Sequence, residues 1–495
     1  MQSELKQRTA KTLKWNTIDR VATQVLYGLS GIVLANLLSK EDFGLVGVLA
    51  VFQAFAILFV DSGFGSALLQ KKTPDDDDYS TVFWFNLMVS IAVYALLYVS
   101  APAIAGFFGD SRLTAMSRVM FLTFVLTGLG IIQTNRMMKQ MDVKQIAIAD
   151  LVALTSSGGI GIWLAFAGFG AWALVWQSVA LAAVKSGWLW ITGHWTPKAV
   201  FSRASLRDIR NIGLSVFISQ FFNTLFLNIY QFVIGKWYSL SMLGTYNQAD
   251  KWSKMGSASL TQILTSSFVP LLSRVQDDIA TFHRYMRRID RFTAMLSFPV
   301  LTCVAACGGS IFHFLFGTKW DLAIPLFQVL CIRGIGTVYV SLYSNFLMSL
   351  GHGRQIVTIE VVKDVSIAIA LLATVFTGSL DALVWGQLYA TAATWLVSGI
   401  IVSRHTGYRI GNLAADLLPF AATAAVAALA IWLVPTPAGN VESALNLTSL
   451  LSLAIGLAAG MAASVVMLAL LRVQELGEFA TYVFGRVIRR VRSDN

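Results

Sequence analysis

The chain has 495 residues and a net charge of +11 at neutral pH, and 56% of its residues are hydrophobic against 13% charged. Soluble domains do not need so much apolar surface, so the composition excludes an ordinary soluble protein. The basic excess does not predict nucleic-acid binding. In a membrane protein it is explained by basic loops on the cytoplasmic side, which the anionic inner leaflet attracts.

Fourteen apolar segments of about 20 residues are each long enough to cross a bilayer as a helix. They predict an all-α integral membrane protein with about 14 transmembrane helices, at 15–38, 43–69, 81–106, 115–134, 146–167, 171–193, 212–235, 245–272, 292–316, 322–350, 355–377, 382–403, 412–435 and 444–471. The segments that connect these spans on one side of the membrane, together with the two termini, hold 26 Lys and Arg residues, and the segments on the other side hold 5. This bias predicts cytoplasmic N- and C-termini. We expect no cleavable signal peptide before the first span.

Three of the predicted spans carry polar side chains along one helix face, at steps of three and four residues. They are the first, seventh and eighth spans, with the stripes Asn16, Asp19, Arg20, Thr23, Gln24, Tyr27 and Ser30; Gln220, Asn223, Thr224, Asn228 and Gln231; and Asn247, Asp250, Lys251, Lys254, Ser257, Thr261, Gln262 and Thr265. A charge facing lipid costs about 2.5–3.5 kcal/mol even on the lenient insertion scale. The stripes therefore predict a watery cavity and a transporter for a polar substrate.

Two short motifs recur in both halves of the chain. Residues 39–44 (SKEDFG) match 239–244 (SLSMLG), and 173–176 (ALVW) recur at 382–385. Six spans per repeat predict two parallel six-helix repeats around a central cavity, plus two extra C-terminal helices. The predicted domains are an N-lobe at 1–204 (spans 1–6), a C-lobe at 205–411 (spans 7–12), and 412–495 with spans 13–14 and a basic cytoplasmic tail. Gly456 and Gly460 predict close packing of the last span.

Several segments resemble the polysaccharide exporters, the Wzx-type flippases of the multidrug/oligosaccharidyl-lipid/polysaccharide transporter superfamily, in their colanic-acid and lipopolysaccharide branch. The matching segments are 38–47 (LSKEDFGLVG), 61–70 (DSGFGSALLQ), 80–86 (STVFWFN), 168–175 (GFGAWALV) and 270–276 (PLLSRVQ). The resemblance implies a bacterial inner-membrane protein that flips a lipid-linked oligosaccharide, carried on undecaprenyl diphosphate, to the outer leaflet. It also implies that spans 1, 2, 7 and 8 line the cavity.

Such a cargo needs cations for its diphosphate, because a charge pair is far stronger in a low-dielectric cavity than in water. The candidates are Arg20, Lys251, Lys254 and Arg333. Each has an alternative: Arg20 can extend to the headgroups, the two lysines can form a surface cluster with Asp250, and Arg333 can form a structural ion pair.

The candidate counter-ions or coupling groups are Asp19, Asp61 and Asp250, and Asp61 is expected to meet Arg20 at a similar depth, roughly 8–12 Å into the bilayer. Side-chain amides suit the hydroxyl groups of sugars, and they are also used to join membrane helices to each other. The sugar-facing candidates are Gln24, Gln220, Asn223, Asn228 and Gln231.

No catalytic or metal site is predicted. Three cysteines (Cys303, Cys307 and Cys331) are expected to be core residues, and the acidic residues 75–78 are expected to cap a helix. No cofactor is expected, and protons, sodium ions or the membrane potential stay open as the energy source. The expected partners are the lipid-linked oligosaccharide, membrane lipids and polysaccharide assembly proteins, with the chain as a monomer. The alternatives are a multidrug/cation antiporter of the same superfamily and, less favoured, a membrane polysaccharide polymerase or ligase.

Overall fold

The computed structural model describes residues 2–61, 64–434 and 444–477, and within them the side chains of all but 2–14, 61, 66–67, 70, 203–216, 259 and 262–271. Throughout these residues the regular structure is helical. The α-helices are α1 (Gln2–Leu37), α2 (Lys40–Asp61), α3 (Phe64–Gln70), α4 (Asp76–Phe108), α5 (Arg112–Met120), α6 (Leu122–Lys139), α7 (Val143–Phe166), α8 (Ala171–Gly193), α9 (Arg203–Trp237), α10 (Leu240–Leu272), α11 (Ile279–Ala306), α12 (Gly308–Phe316), α13 (Ala323–Ser349), α14 (Gly353–Thr374), α15 (Leu380–Thr406), α16 (Ile410–Leu433) and α17 (Leu447–Leu470).

Each predicted span coincides with one helix or with two consecutive helices. Spans 2, 4 and 9 were predicted as single helices, but the structure has the pairs α2 and α3, α5 and α6, and α11 and α12. Hydropathy did not show the last two divisions, because the junction residues Phe121 and Cys307 are as apolar as their neighbours. In the described part of the chain, 10 helical segments have the length and apolar composition of a membrane span. The helices α1, α10, α14 and α15 lie outside that set.

The helices pack into two units, Met1–Gly244 and Thr245–Asn495. In the first, α7 packs on α8 and α1, α4 packs on α6, and α9 packs on α2 and α3. In the second, α11 packs on α16 and α13, α14 packs on α15, and α17 packs on α16 and α12. The division falls after α9, whereas the N-lobe was predicted to end before it, at residue 204. The predicted lobe boundaries and the repeat layout stay predictions.

The repeated motif lies at the starts of α2 and α10, and its two glycines make reciprocal close contacts. A Cβ atom added at Gly44 would lie 1.9 Å from the carbonyl oxygen of Leu240, and one added at Gly244 would lie 1.9 Å from that of Lys40. Both helices are also capped by the first serine of the motif: Ser39 accepts from the Asp42 N–H at 3.1 Å and Ser239 from the Met242 N–H at 3.2 Å. The motif is therefore a helix cap followed by a glycine that permits backbone contact.

The acidic run before α4 is a helix cap, as predicted. The Asp75 carboxylate accepts from the Asp78 N–H at 2.7 Å, and the Asp78 carboxylate accepts from the Asp75 N–H at 3.1 Å. Lys71 also pairs with Asp78 at 2.7 Å. Two otherwise unsatisfied donors at the helix start are thereby bonded, and the negative charge opposes the positive end of the helix dipole.

The last helix packs closely, as its glycines predicted. A Cβ at Gly460 would lie 2.6 Å from the Ile431 side chain and 2.9 Å from the Cys303 sulfur, and one at Gly456 would lie 3.2 Å from the Cys307 sulfur. All three cysteines are buried and free. They pack as small core residues in the second unit.

An ion-pair network joins α11 to α16 and to the segment after α17. Arg291 donates from Nε and Nη2 to the Glu475 carboxylate at 2.6 and 3.1 Å, and from Nη1 to Asp416 at 3.4 Å. Arg287 donates to Asp416 at 2.9 Å, and the Tyr408 hydroxyl donates to it at 2.6 Å. We call these five side chains the α11–α16 network.

Replacing Glu475 with Gln is expected to lower the free energy of unfolding by about 1–3 kcal/mol, because Arg291 loses the carboxylate to which it donates two hydrogen bonds. Burial alone raises the pKa of Glu475, but the bonds from Arg291 outweigh it, and the pKa lies below its ordinary value. A lowered pKa contributes stability above the pKa of the unfolded chain and loses it as the pH falls through the folded value. In lipid nanodiscs, the thermal unfolding temperature of E475Q should therefore lie below that of wild type at neutral pH. The difference should disappear as the pH falls below about 4.5.

The matched control is Asp277→Asn, which neutralises an exposed carboxylate near the start of α11. We expect D277N to follow the wild-type stability within about 0.5 kcal/mol. An E475Q curve parallel to wild type at every pH would contradict the assignment of this stability to the ion pair.

Candidate substrate site in the spanning helices

The second unit holds a charged cluster within its spanning helices. The Asp250 carboxylate on α10 pairs with Lys254 at 2.6 Å and with Arg333 on α13 at 3.3 Å. Arg333 also donates to the side-chain oxygen of Gln387 on α15, whose amide nitrogen donates to the Tyr246 hydroxyl at 3.1 Å. Three helices thus contribute to one bonded set, which we call the Asp250 cluster.

Helix packing explains why Arg333 reaches α10. The neighbouring Gly334 has no side chain, and a Cβ there would lie 3.0 Å from the Ser257 Cβ on α10. The close approach lets the Arg333 guanidinium lie against the Asp250 carboxylate, about two helical turns before Ser257 on α10. Ser257 belongs to the polar stripe predicted for this span. The stripe therefore contains a small residue that packs against α13 as well as the charged residues.

The cluster combines a buried carboxylate with two cations of different exposure. The side chain of Asp250 is 5% exposed, that of Arg333 is 17% exposed, and that of Lys254 is 47% exposed. With one carboxylate for two cations, the cluster carries a net positive charge when all three are ionised. The buried Nε–H of Arg333 donates to no acceptor in the described part of the chain. A basic set with an unused donor is suited to binding an anion.

Two cationic candidates lie outside these contacts. The Lys251 ammonium group lies over the Trp252 ring, 5.4 Å from its centroid, and Arg20 on α1 is exposed. The side chain of Asp61 lies outside the described residues, so its predicted contact with Arg20 stays a prediction. The structural ion pair weighed for Arg333 is present, and its partner is Asp250.

In the first unit, the polar face of α1 meets charged residues of α7 and α8. The Asp19 carboxylate accepts from the Thr23 hydroxyl at 3.2 Å and lies within electrostatic range of Asp150 and Lys185. Lys185 pairs with Asp150 at 2.5 Å. Arg20, the next residue on α1, also acts electrostatically on the Asp19 carboxylate. Two carboxylates and two cations therefore lie together in this set, which we call the Asp19 group.

The sugar-facing candidates also belong to the first unit. Gln24 on α1 and Gln220 on α9 are exposed, while Asn223, Asn228 and Gln231 are half-buried. Asn228 donates to the backbone oxygen of Thr224, one turn earlier on its own helix, at 2.8 Å. That bond is local to α9. The described contacts of Asn228 therefore include no hydrogen bond to another helix, which was the alternative to sugar binding.

Gln387, Tyr246 and Asp150 were not predicted as site residues. Gln387 follows the second copy of the ALVW motif, so the repeat was the available signal for it, and Asp150 is the single acidic residue of its predicted span. Among the described residues, no group of three or more His, Cys, Asp or Glu side chains could hold a metal ion.

Comparison with known proteins decides the family. Residues 33–325 match the family model described as "Polysaccharide biosynthesis protein". The chain belongs to this family. It is 25% identical over 429 residues to the teichuronic acid biosynthesis protein TuaB of Bacillus subtilis, covering 84% of this chain and 87% of TuaB. It is 24% identical over 340 residues to the lipopolysaccharide biosynthesis protein WzxC of Escherichia coli, covering 67% of this chain and 68% of WzxC.

The fold is that of a known flippase. The inward-closed structure of the lipid II flippase MurJ superposes with a TM-score of 0.74 at 12% identity, covering 92% of this chain and 99% of that one. The predicted resemblance to Wzx-type polysaccharide exporters is confirmed. The chain is thus a multi-pass bacterial membrane protein of the polysaccharide biosynthesis family, with the fold of a flippase.

Proposed function

We propose that this polysaccharide biosynthesis protein flips a lipid-linked oligosaccharide, carried on undecaprenyl diphosphate, from the cytoplasmic to the outer leaflet of the inner membrane. The observation that carries the proposal is the Asp250 cluster, a net basic site inside the spanning helices of a chain from this family. A diphosphate is the part of such a cargo that most needs positive charge away from bulk water.

In this proposal the cargo diphosphate binds Lys254 and Arg333, with Asp250 holding the two cations in place between cargo molecules. Lys251 and Arg20 are further phosphate contacts, and the amides of α1 and α9 bind sugar hydroxyl groups. We further propose that the chain crosses the membrane fourteen times with both termini in the cytoplasm, and that transport proceeds by alternating access between two six-helix lobes. The charges favour this cargo over the cation of a multidrug antiporter, which acidic groups would bind better.

The Asp19 group is the proposed coupling site. With Arg20 bound to the cargo diphosphate, the Asp19 and Asp150 carboxylates keep only Lys185, and a proton or a sodium ion neutralises the negative charge that remains. Asp61 and Asp250 are the other coupling candidates. Cation entry on one side of the membrane and release on the other would then drive the cycle.

The proposed function is tested by deleting the gene and locating the lipid-linked glycan. Accumulation on the cytoplasmic face supports the flippase. Unpolymerised glycan on the outer face would show that export proceeds without this protein and would favour a polymerase.

Replacing Lys254 with Gln is expected to lower export in the complemented deletion strain at least about tenfold, because one charge-assisted bond to the diphosphate is lost. Lys254 is half-exposed, so its pair with Asp250 contributes little to stability and K254Q should fold normally. The control is Lys363→Gln on α14, a lysine paired with Glu360 and 4.0 Å from Asp364. Equal export by K254Q and K363Q at equal membrane levels would count against the Asp250 cluster as the diphosphate site.

A further inference from the structure

Asp290 lies in the second unit, on α11, and no part of the proposed function uses it. Its side chain is buried, with an exposure of 0%. Neither carboxylate oxygen meets the distance and angle of a hydrogen bond from any donor that the structure describes. The phenols of Tyr339 and Tyr343 on α13 lie against it, but the Tyr339 hydroxyl donates to the backbone oxygen of Asp290, at 3.0 Å.

The neighbouring arginines are committed to other carboxylates. Arg287 bonds Asp416, and Arg291 bonds both Glu475 and Asp416. Two guanidinium groups thus balance two carboxylates within the α11–α16 network. An ionised Asp290 would add a third negative charge with no cation of its own, beside the Asp416 charge that already repels it.

Among the residues that the structure describes, the other groups around Asp290 include no further cation. The polar and titratable groups facing this region from the packed elements are Tyr339 and Tyr343 on α13, Asp416 on α16, Tyr408 before α16, Glu475 after α17, and Thr293 and Ser297 on α11 itself. Around them lies an apolar cluster that includes Met286, Phe298, Phe420 and Leu413. Burying an unpaired carboxylate in such surroundings is strongly unfavourable, whereas the neutral acid does not carry the penalty of a buried charge.

We propose that Asp290 is a proton-binding residue. It holds one proton while α11, α13 and α16 are packed around it, and it ionises when that packing opens to water. Proton release then places two negative charges, on Asp290 and Asp416, at the contact between α11 and α16. The packing of these helices is therefore linked to protonation. This inference rests on the contacts of the second unit and not on the identity of the cargo.

The test is infrared spectroscopy of the full chain in lipid nanodiscs at neutral pH. A protonated carboxyl group gives a C=O stretching band apart from the bands of carboxylates and amides. We expect wild type to show such a band, and we expect carbon-13 labelling of aspartate carboxyl groups to shift it. Asp290→Asn should remove it, while Asp381→Asn, at an exposed aspartate on α15, should leave it unchanged.

A second variant covers the case in which D290N does not accumulate. Asp290→Glu keeps a protonatable group, so the band should persist but respond to labelled glutamate instead of labelled aspartate. Absence of the band from wild type, its retention in D290N, or its continued response to labelled aspartate in D290E would each overturn the proposal. None of these readouts depends on transport, so their failure is distinguishable from failure of the flippase assignment.

Discussion

Replacing Asp250 with Asn is expected to destabilise the protein more than either replacement of its cationic partners. The change leaves the largely buried Arg333 guanidinium without a carboxylate, and removing one partner of a buried ion pair costs about 3–5 kcal/mol. Arg333→Gln should cost less, since Asp250 keeps Lys254. Lys254→Gln should cost at most about 1 kcal/mol, because its ammonium group reaches solvent. Chemical or thermal unfolding of the purified variants measures this order.

The double variant D250N/R333Q separates a stranded charge from lost packing. With both charges gone, no buried ion lacks a partner, so the double variant should be more stable than D250N alone. Equal and small losses for all three single variants would contradict the burial and pairing described for the Asp250 cluster. A double variant less stable than D250N would contradict the charge explanation itself.

Replacing either motif glycine with alanine is expected to have the second large effect. At Gly44 and Gly244 the new methyl group would lie 1.9 Å from a carbonyl oxygen of the other helix, so the backbones must separate. Overpacking of this kind costs about 1–3 kcal/mol, and contact with backbone rather than a flexible side chain places both variants at the upper end. Membrane levels and thermal unfolding of G44A and G244A provide the measurement.

The matched control is Gly159→Ala on α7, where an added Cβ would meet nothing within 4 Å. Alanine favours a helix over glycine, so G159A should be neutral or more stable by about 0.5–1 kcal/mol. Because the two contacts are reciprocal, G44A and G244A should lose similar amounts of stability. The loss in the double variant should be smaller than the sum of the two single losses. Wild-type stability in both would show that α2 and α10 do not touch at these residues.

The sequence predicted the helices well because hydropathy over a bilayer's thickness is a local property. It also predicted two local features within a few turns: the cap at Asp75, and the contact of Asp250 with Lys254. It did not predict the start of α11 at Ile279. The ninth span was predicted to begin at residue 292, but Met286, Ile289 and Asp290 are already buried on α11.

The amino-acid sequence by itself determined the class of the protein, the places of its helices, its family and the polar character of α1, α9 and α10. These depend on composition and on spacing along the chain. Only the tertiary structure decided which charges meet: Arg333 with Asp250, Lys185 with Asp150, and Arg291 with Glu475. Those pairs join residues 35 to 184 positions apart, and their choice depends on where glycines such as Gly334 let helices approach. Partner choice in a low-dielectric interior is set by distances of a few ångströms, which spacing along one helix does not contain.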